Sequence, residues 1–118
     1  MYYAGTYALI EILKGNPSYR KYSDIVTGYN SLLEVSYVLV RDLGVEKARE
    51  VIDAIARKIP VLTPTVEDYV KAGEILVGYD RELSPTDAMG YAMALNRGLK
   101  YLTGDSVFRD LDNVEWVE

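Results

Sequence analysis

At 118 residues, with 49 % hydrophobic and 26 % charged side chains and a net charge of −5, the chain has the size and composition of one globular core and not of two. It contains no cysteine and no histidine, which excludes disulfides, thiolate and imidazole metal ligands, cysteine nucleophiles and serine–histidine catalysis. The acidic balance argues against a broad basic nucleic-acid surface, although a carboxylate site for a divalent cation would by itself make a chain look acidic.

The amino terminus, Met1-Tyr2-Tyr3-Ala4-Gly5, lacks the basic start and apolar run of a secretory signal. No later stretch approaches the roughly 20 apolar residues that cross a bilayer, so the cytoplasm is the expected compartment and no membrane the expected partner. Tyr2-Tyr3-Ala4 reads as a first strand. Thr6 to Leu13 follows as a helix, ended by Gly15 and the Asn16-Pro17 breaker. Asp24-Ile25-Val26-Thr27 suggests a second, buried strand. From Asn30 to Leu43 a helix carries Leu32, Leu33, Val35, Val38, Leu39 and Val40; being apolar nearly all round, it is expected to be central, and Gly44 ends it.

Val45, Ala48, Ile52, Ile55 and Ile59 recur at helical spacing. Pro60 to Pro64 encloses a short strand or connector, and Val66, Tyr69, Val70, Leu76 and Val77 mark another helix. Ser84-Pro85-Thr86-Asp87 opens the next one, with serine at the cap, proline in the first turn and an acid three residues after the cap. That helix is rich in small residues (Ala88, Gly90, Ala92, Ala94), which permits close backbone packing, and it stops at Gly98. Leu99 to Thr103 and Val114 to Val117 read as the last strands. The alternation predicts an α/β fold, a mostly parallel central sheet flanked by helices, as one domain over residues 1–118. Ligands bind such sheets beyond the carboxyl ends of the strands. Gly5-Thr6, the stretch after Thr27 and Gly104-Asp105 are therefore the places to look for chemistry.

Three acids stand at suggestive places, helix starts and strand ends, which converge at one edge of an α/β sheet. Glu34 lies near the start of the apolar helix, Asp87 in the first turn of the small-residue helix, and Asp105 just after a strand. Carboxylates gathered at one site raise one another's pKa unless a cation neutralises them, and Mg²⁺ or Mn²⁺ would do so through one or two of them. Each acid also has a plainer reading. Asp87 could be the acid of a capping box, Glu34 could pair with Arg41 two turns on, and Asp105 could be a turn residue. The tyrosines offer faces for unpaired bases, or core packing instead. Lys14, Arg20, Lys21, Arg97, Lys100 and Arg109 could hold phosphates or a partner's acids, or form a solvated edge.

Taken as an ordered set, Gly5-Thr6-Tyr7-Ala8-Leu9-Ile10-Glu11, Leu33-Glu34-Val35, Leu83-Ser84-Pro85-Thr86-Asp87-Ala88 and Leu102-Thr103-Gly104-Asp105 with Phe108 resemble the PIN-domain family, especially its VapC-like toxins. The closing segment from Leu111 to Val117 is similar too. The resemblance implies a Mg²⁺- or Mn²⁺-dependent endoribonuclease, usually a homodimer, whose toxin members are held inactive by a small antitoxin protein. It implies Glu34, Asp87 and Asp105 as metal-site acids, with Thr6 and Thr103 as supporting hydroxyls. It also implies an aspartate before the threonine, where this chain has Gly5. Glycine supplies no side-chain oxygen, and Glu11, two turns on, is a poor geometric substitute. The alternative is a degenerate PIN domain that binds RNA or a protein without cutting. A phosphate-binding domain is disfavoured because no G-x-x-x-x-G-K loop is present.

Overall fold

The computed structural model describes residues 1–80 and 82–118. In chain order the elements are β1 (Tyr2–Ala4), α1 (Thr6–Leu13), β2 (Ile25–Gly28), α2 (Tyr29–Leu43), α3 (Val45–Lys58), β3 (Val61–Leu62), α4 (Val66–Gly78), α5 (Pro85–Asn96), β4 (Lys100–Thr103) and β5 (Val114–Trp116), with short 3₁₀ turns at Pro17–Tyr19 and Ser106–Phe108. The strands form one sheet in the order β3-β2-β1-β4-β5, and every pairing is parallel. The order reverses at β1, with β2 and β3 on one side and β4 and β5 on the other. The crevice beyond the carboxyl ends of β1 and β4 is thus the switch point of the sheet, where neighbouring connections leave in opposite directions.

Alternation along the strands divides the core in two. Tyr3 and Tyr101, paired in register, face the side covered by α4 and α5, where Ala72, Ile75, Ala92 and Met93 are buried. Ala4 and Leu102 face the other side, against Ala8 and Leu9 of α1, Val35 of α2 and Ile55 of α3. The first core is built on rings. Tyr3 stacks on Tyr101 at 5.7 Å between centroids, and Tyr91 and Phe108 meet Tyr101 at 5.8 and 4.7 Å. The small residues of α5 make this possible, as the sequence suggests. A Cβ at Gly90 would stand 3.1 Å from Cε1 of both Tyr3 and Tyr101, so glycine lets the helix lie directly on the two rings.

Asp68 ties α4 to the end of α5. Thr65 and Asp68 form a reciprocal capping box at the start of α4. The same carboxylate, whose side chain is 1 % exposed, accepts both Nη atoms of Arg97 at 2.9 Å and Nδ2 of Asn96 at 2.9 Å. Arg97 is therefore not a free cation of a basic edge: its charge is paired with Asp68, although its side chain stays 26 % exposed.

The structure also corrects the place of α2. The helix packs against α1, α3 and α5, but only Ser31 and Val35 are fully buried on it. Tyr29, Leu33, Tyr37 and Val40 follow one another at helical spacing on an exposed face, with Leu33 73 % exposed. The helix is flanking rather than central, and its apolar outer stripe is left largely exposed by the described fold.

Candidate active site

Four element junctions converge at the switch point. β1 ends at Ala4, and Gly5 caps α1, its N–H donating to the Leu102 carbonyl at 3.1 Å. This bond holds the β1–α1 turn beside the end of β4. β2 runs straight into α2, which carries Glu34 on its second turn. The Thr27 hydroxyl donates to the Ala4 carbonyl at 2.8 Å and fixes the end of β2 against β1. Ser84 caps α5 by accepting the Asp87 N–H at 3.1 Å, which sets Asp87 in the first turn. Beyond β4, the Thr103 hydroxyl accepts the Asp105 N–H at 3.1 Å, and Asp105 Oδ1 accepts the Val107 N–H at 3.1 Å.

Glu34, Asp87, Asp105, Thr6 and Thr103 line one cavity of about 240 Å³. Burial pushes the Asp87 carboxyl above its ordinary value; hydrogen bonding with Ser84 opposes this, and the charges of Glu34 and Asp105 push it further up. Asp87 therefore feels both of the other acids. No ion pair among the described residues engages any of them: Arg41, the sequence candidate for Glu34, pairs with its neighbour Asp42 at 2.8 Å and lies over the Tyr37 ring. Glu11 is turned away as well, holding Asn16 at 2.9 Å and Lys14 at 3.5 Å. As the side chains stand, no group of three acids among the described residues is close enough to form a ready-made metal cluster. Pairwise approach with water completing the shell is the arrangement the donor set suits, since Mg²⁺ commonly takes only one or two carboxylates directly.

The sequence reading missed the remaining walls, Tyr7, Ile10 and Tyr101. Tyr101 had a legible signal. It precedes Thr103 by two residues, and a period of two puts both on the same face of a strand. Asp105 also plays the expected turn role while lining the cavity.

Gly104 is a place where glycine is required. A Cβ there would collide with the Val117 carbonyl and come within 2.9 Å of Tyr7 Cζ. Gly104→Ala is expected to cost about 1–3 kcal/mol through overpacking, read as a lower denaturant midpoint at unchanged slope.

A profile of the PIN domain matches residues 6–114. The chain belongs to the PIN-domain family. Solved structures agree on the fold. VapC20 of Mycobacterium tuberculosis, a toxin that cleaves the sarcin–ricin loop, superposes with a TM-score of 0.82 at 23 % identity over 100 % of both chains. A DNA-bound VapBC complex from Salmonella typhimurium gives 0.80 at 19 % identity, over 98 % of this chain and 96 % of that one. A toxin–antitoxin complex from Klebsiella pneumoniae gives 0.77 at 14 % identity, with coverage of 98 % and 96 %. No curated protein matches significantly. Within this PIN domain the cavity sits where the parallel sheet reverses order, and no described helix is long and apolar enough to cross a membrane.

Proposed function

We propose that this PIN domain is a Mg²⁺- or Mn²⁺-dependent endoribonuclease, the toxin of a toxin–antitoxin pair, with Glu34, Asp87 and Asp105 as its metal-site acids. The observation that carries this reading is the common cavity: acids from α2, α5 and the end of β4 line it together, and no Lys or Arg is among its described lining residues. A hard divalent ion suits an all-oxygen donor set. When bound, such an ion would supply a water activated for attack and stabilise charge on the phosphate. The chain's own groups would hold and orient it. Asp87 and Asp105 are anchored by backbone hydrogen bonds at a helix start and a strand end, while Thr103 fixes the turn that carries Asp105.

The exposed stripe of Tyr29, Leu33, Tyr37 and Val40 supports a protein partner, since contiguous apolar surface is uncommon on a monomer. An antitoxin and a second copy of the chain are the partners this reading assigns, with the cytoplasm as compartment. Two observations favour a second reading, a PIN domain that binds RNA or protein without cutting: no ready-made cluster of three acids is formed, and Gly5 brings no carboxylate.

The deciding experiment is RNA cleavage with added Mn²⁺, with EDTA, and with Asp87→Asn. Cleavage that needs Mn²⁺ and falls at least about a hundredfold in the variant is the expected result. Cleavage that persists in EDTA would remove the metal from this reading, and no cleavage at all would remove the nuclease reading and leave the binding module.

A further inference from the structure

Gly5 is buried, and the space its side chain would take is already filled. A Cβ built there would collide with the Tyr101 hydroxyl, 2.8 Å from Cζ and 3.3 Å from Cε1. Real Cβ atoms do not approach that closely, so the ring or the backbone would have to shift. The ring has little room to do so. It is clamped by Tyr3, Tyr91 and Phe108 and rests on Gly90, and Tyr101 as a whole is 2 % exposed.

The hydroxyl lies at the cavity end of the ring. It makes no hydrogen bond to a described residue, although the hydroxyls of its neighbours Tyr3 and Tyr91 do. A buried phenol normally finds a partner. This one opens instead onto the acid-lined cavity that Tyr101 helps to wall. It therefore reaches the cavity that Glu34, Asp87 and Asp105 also line, with no hydrogen bond to a described residue.

We propose that Tyr101 and Gly5 are a matched pair in which the tyrosine hydroxyl takes the place of a side chain at position 5 and serves the cavity as a neutral oxygen toward the bound cation. The inference rests on the metal reading given above and adds to it an oxygen donor. A neutral phenol in place of a charged group leaves the site with less negative charge and weaker cation binding than a further carboxylate would give.

The test joins a stability cycle in metal-free buffer to Mn²⁺ titrations read from the EPR signal of the free ion. In the cycle, Gly5→Ala is expected to lower Tm by several degrees in the unaltered chain and hardly at all in the Tyr101→Val background, because the collision is then gone. Additive losses would overturn the pairing. In the titration, Tyr101→Phe keeps the ring and removes the oxygen, and Mn²⁺ affinity is expected to fall about tenfold. Equal affinity would overturn the donor role and leave the metal reading intact, whereas no Mn²⁺ binding by the unaltered chain would sink the metal reading and the donor role together while the cycle still judged the pairing. Gly5→Asp alone is expected to destabilise without tighter Mn²⁺ binding. Tighter binding at undiminished Tm in that single variant would also overturn the proposal.

Discussion

Asp68→Ala is expected to cost about 3–5 kcal/mol, the usual penalty for breaking a buried ion pair, and so a large part of the roughly 5–15 kcal/mol that holds a domain together. The size follows from what is left behind. Arg97 would keep its guanidinium between α4 and α5 with no carboxylate to receive it, Asn96 would lose its acceptor, and α4 would lose one half of its capping box. The pH dependence has a definite sign. Burial pulls the Asp68 carboxyl upward, but hydrogen bonds from Arg97, the Thr65 backbone and Asn96 outweigh it and hold the carboxyl well below the usual range. A group with a depressed folded-state pKa contributes stability in full above its unfolded value, about 3.9, and loses it as pH falls toward the folded value. Denaturant midpoints of the unaltered chain should therefore drop below about pH 4, with the variant showing a shallower drop over the same range. Equal slopes in the two proteins would contradict this account of the pair.

Asp87→Asn is expected to act in two opposite directions. Without metal, the variant should melt at a higher temperature near neutral pH, because the charged carboxyl is disfavoured there by burial and then by Glu34 and Asp105. A group with a raised folded-state pKa gives stability that is present below its unfolded value and lost as pH rises through the folded one. The advantage of asparagine should accordingly vanish below about pH 4, where aspartate is protonated in both states. With saturating Mn²⁺ the order should reverse, since an ion that binds only the folded state stabilises it by mass action and the variant has lost an anchored ligand. Thermal melts at two pH values, with and without Mn²⁺, check all of this. A variant that gains as much from Mn²⁺ as the unaltered chain does would remove Asp87 from the ligand set. Stability set against function in this way is a common signature of sites that gather like charges.

Local signals in the sequence carried far. Thr6–Leu13 begins and ends where periodicity and the Asn16-Pro17 breaker indicate, and Ser84-Pro85 fixes the start of α5 because serine can accept an amide and proline needs none. The alternation of strand and helix was enough for a parallel sheet, whereas Glu34, Asp87 and Asp105 were weak signals singly and were nominated as an ordered set by the family resemblance; all three line one cavity. The T-x-x-D pattern at Thr65 was also there to be read as a cap, although the partner of Asp68 was not: Arg97 lies 29 residues away and its charge looked like surface.

By itself, then, the sequence determined what depends on neighbours along the chain, namely elements, caps, breakers and the chemical character of the donors. Tertiary structure alone decided what depends on register and on which surfaces are covered. Residue type did not reveal that α2 leaves Leu33 and Tyr37 in the open, because apolar residues look the same whether the same chain or another one covers them. Nor could it reveal that a ring at position 101 occupies the side-chain space of position 5. That follows from the pairing of Tyr3 with Tyr101 and the close approach of Gly90, distances between residues that meet only once β1, β4 and α5 are in place.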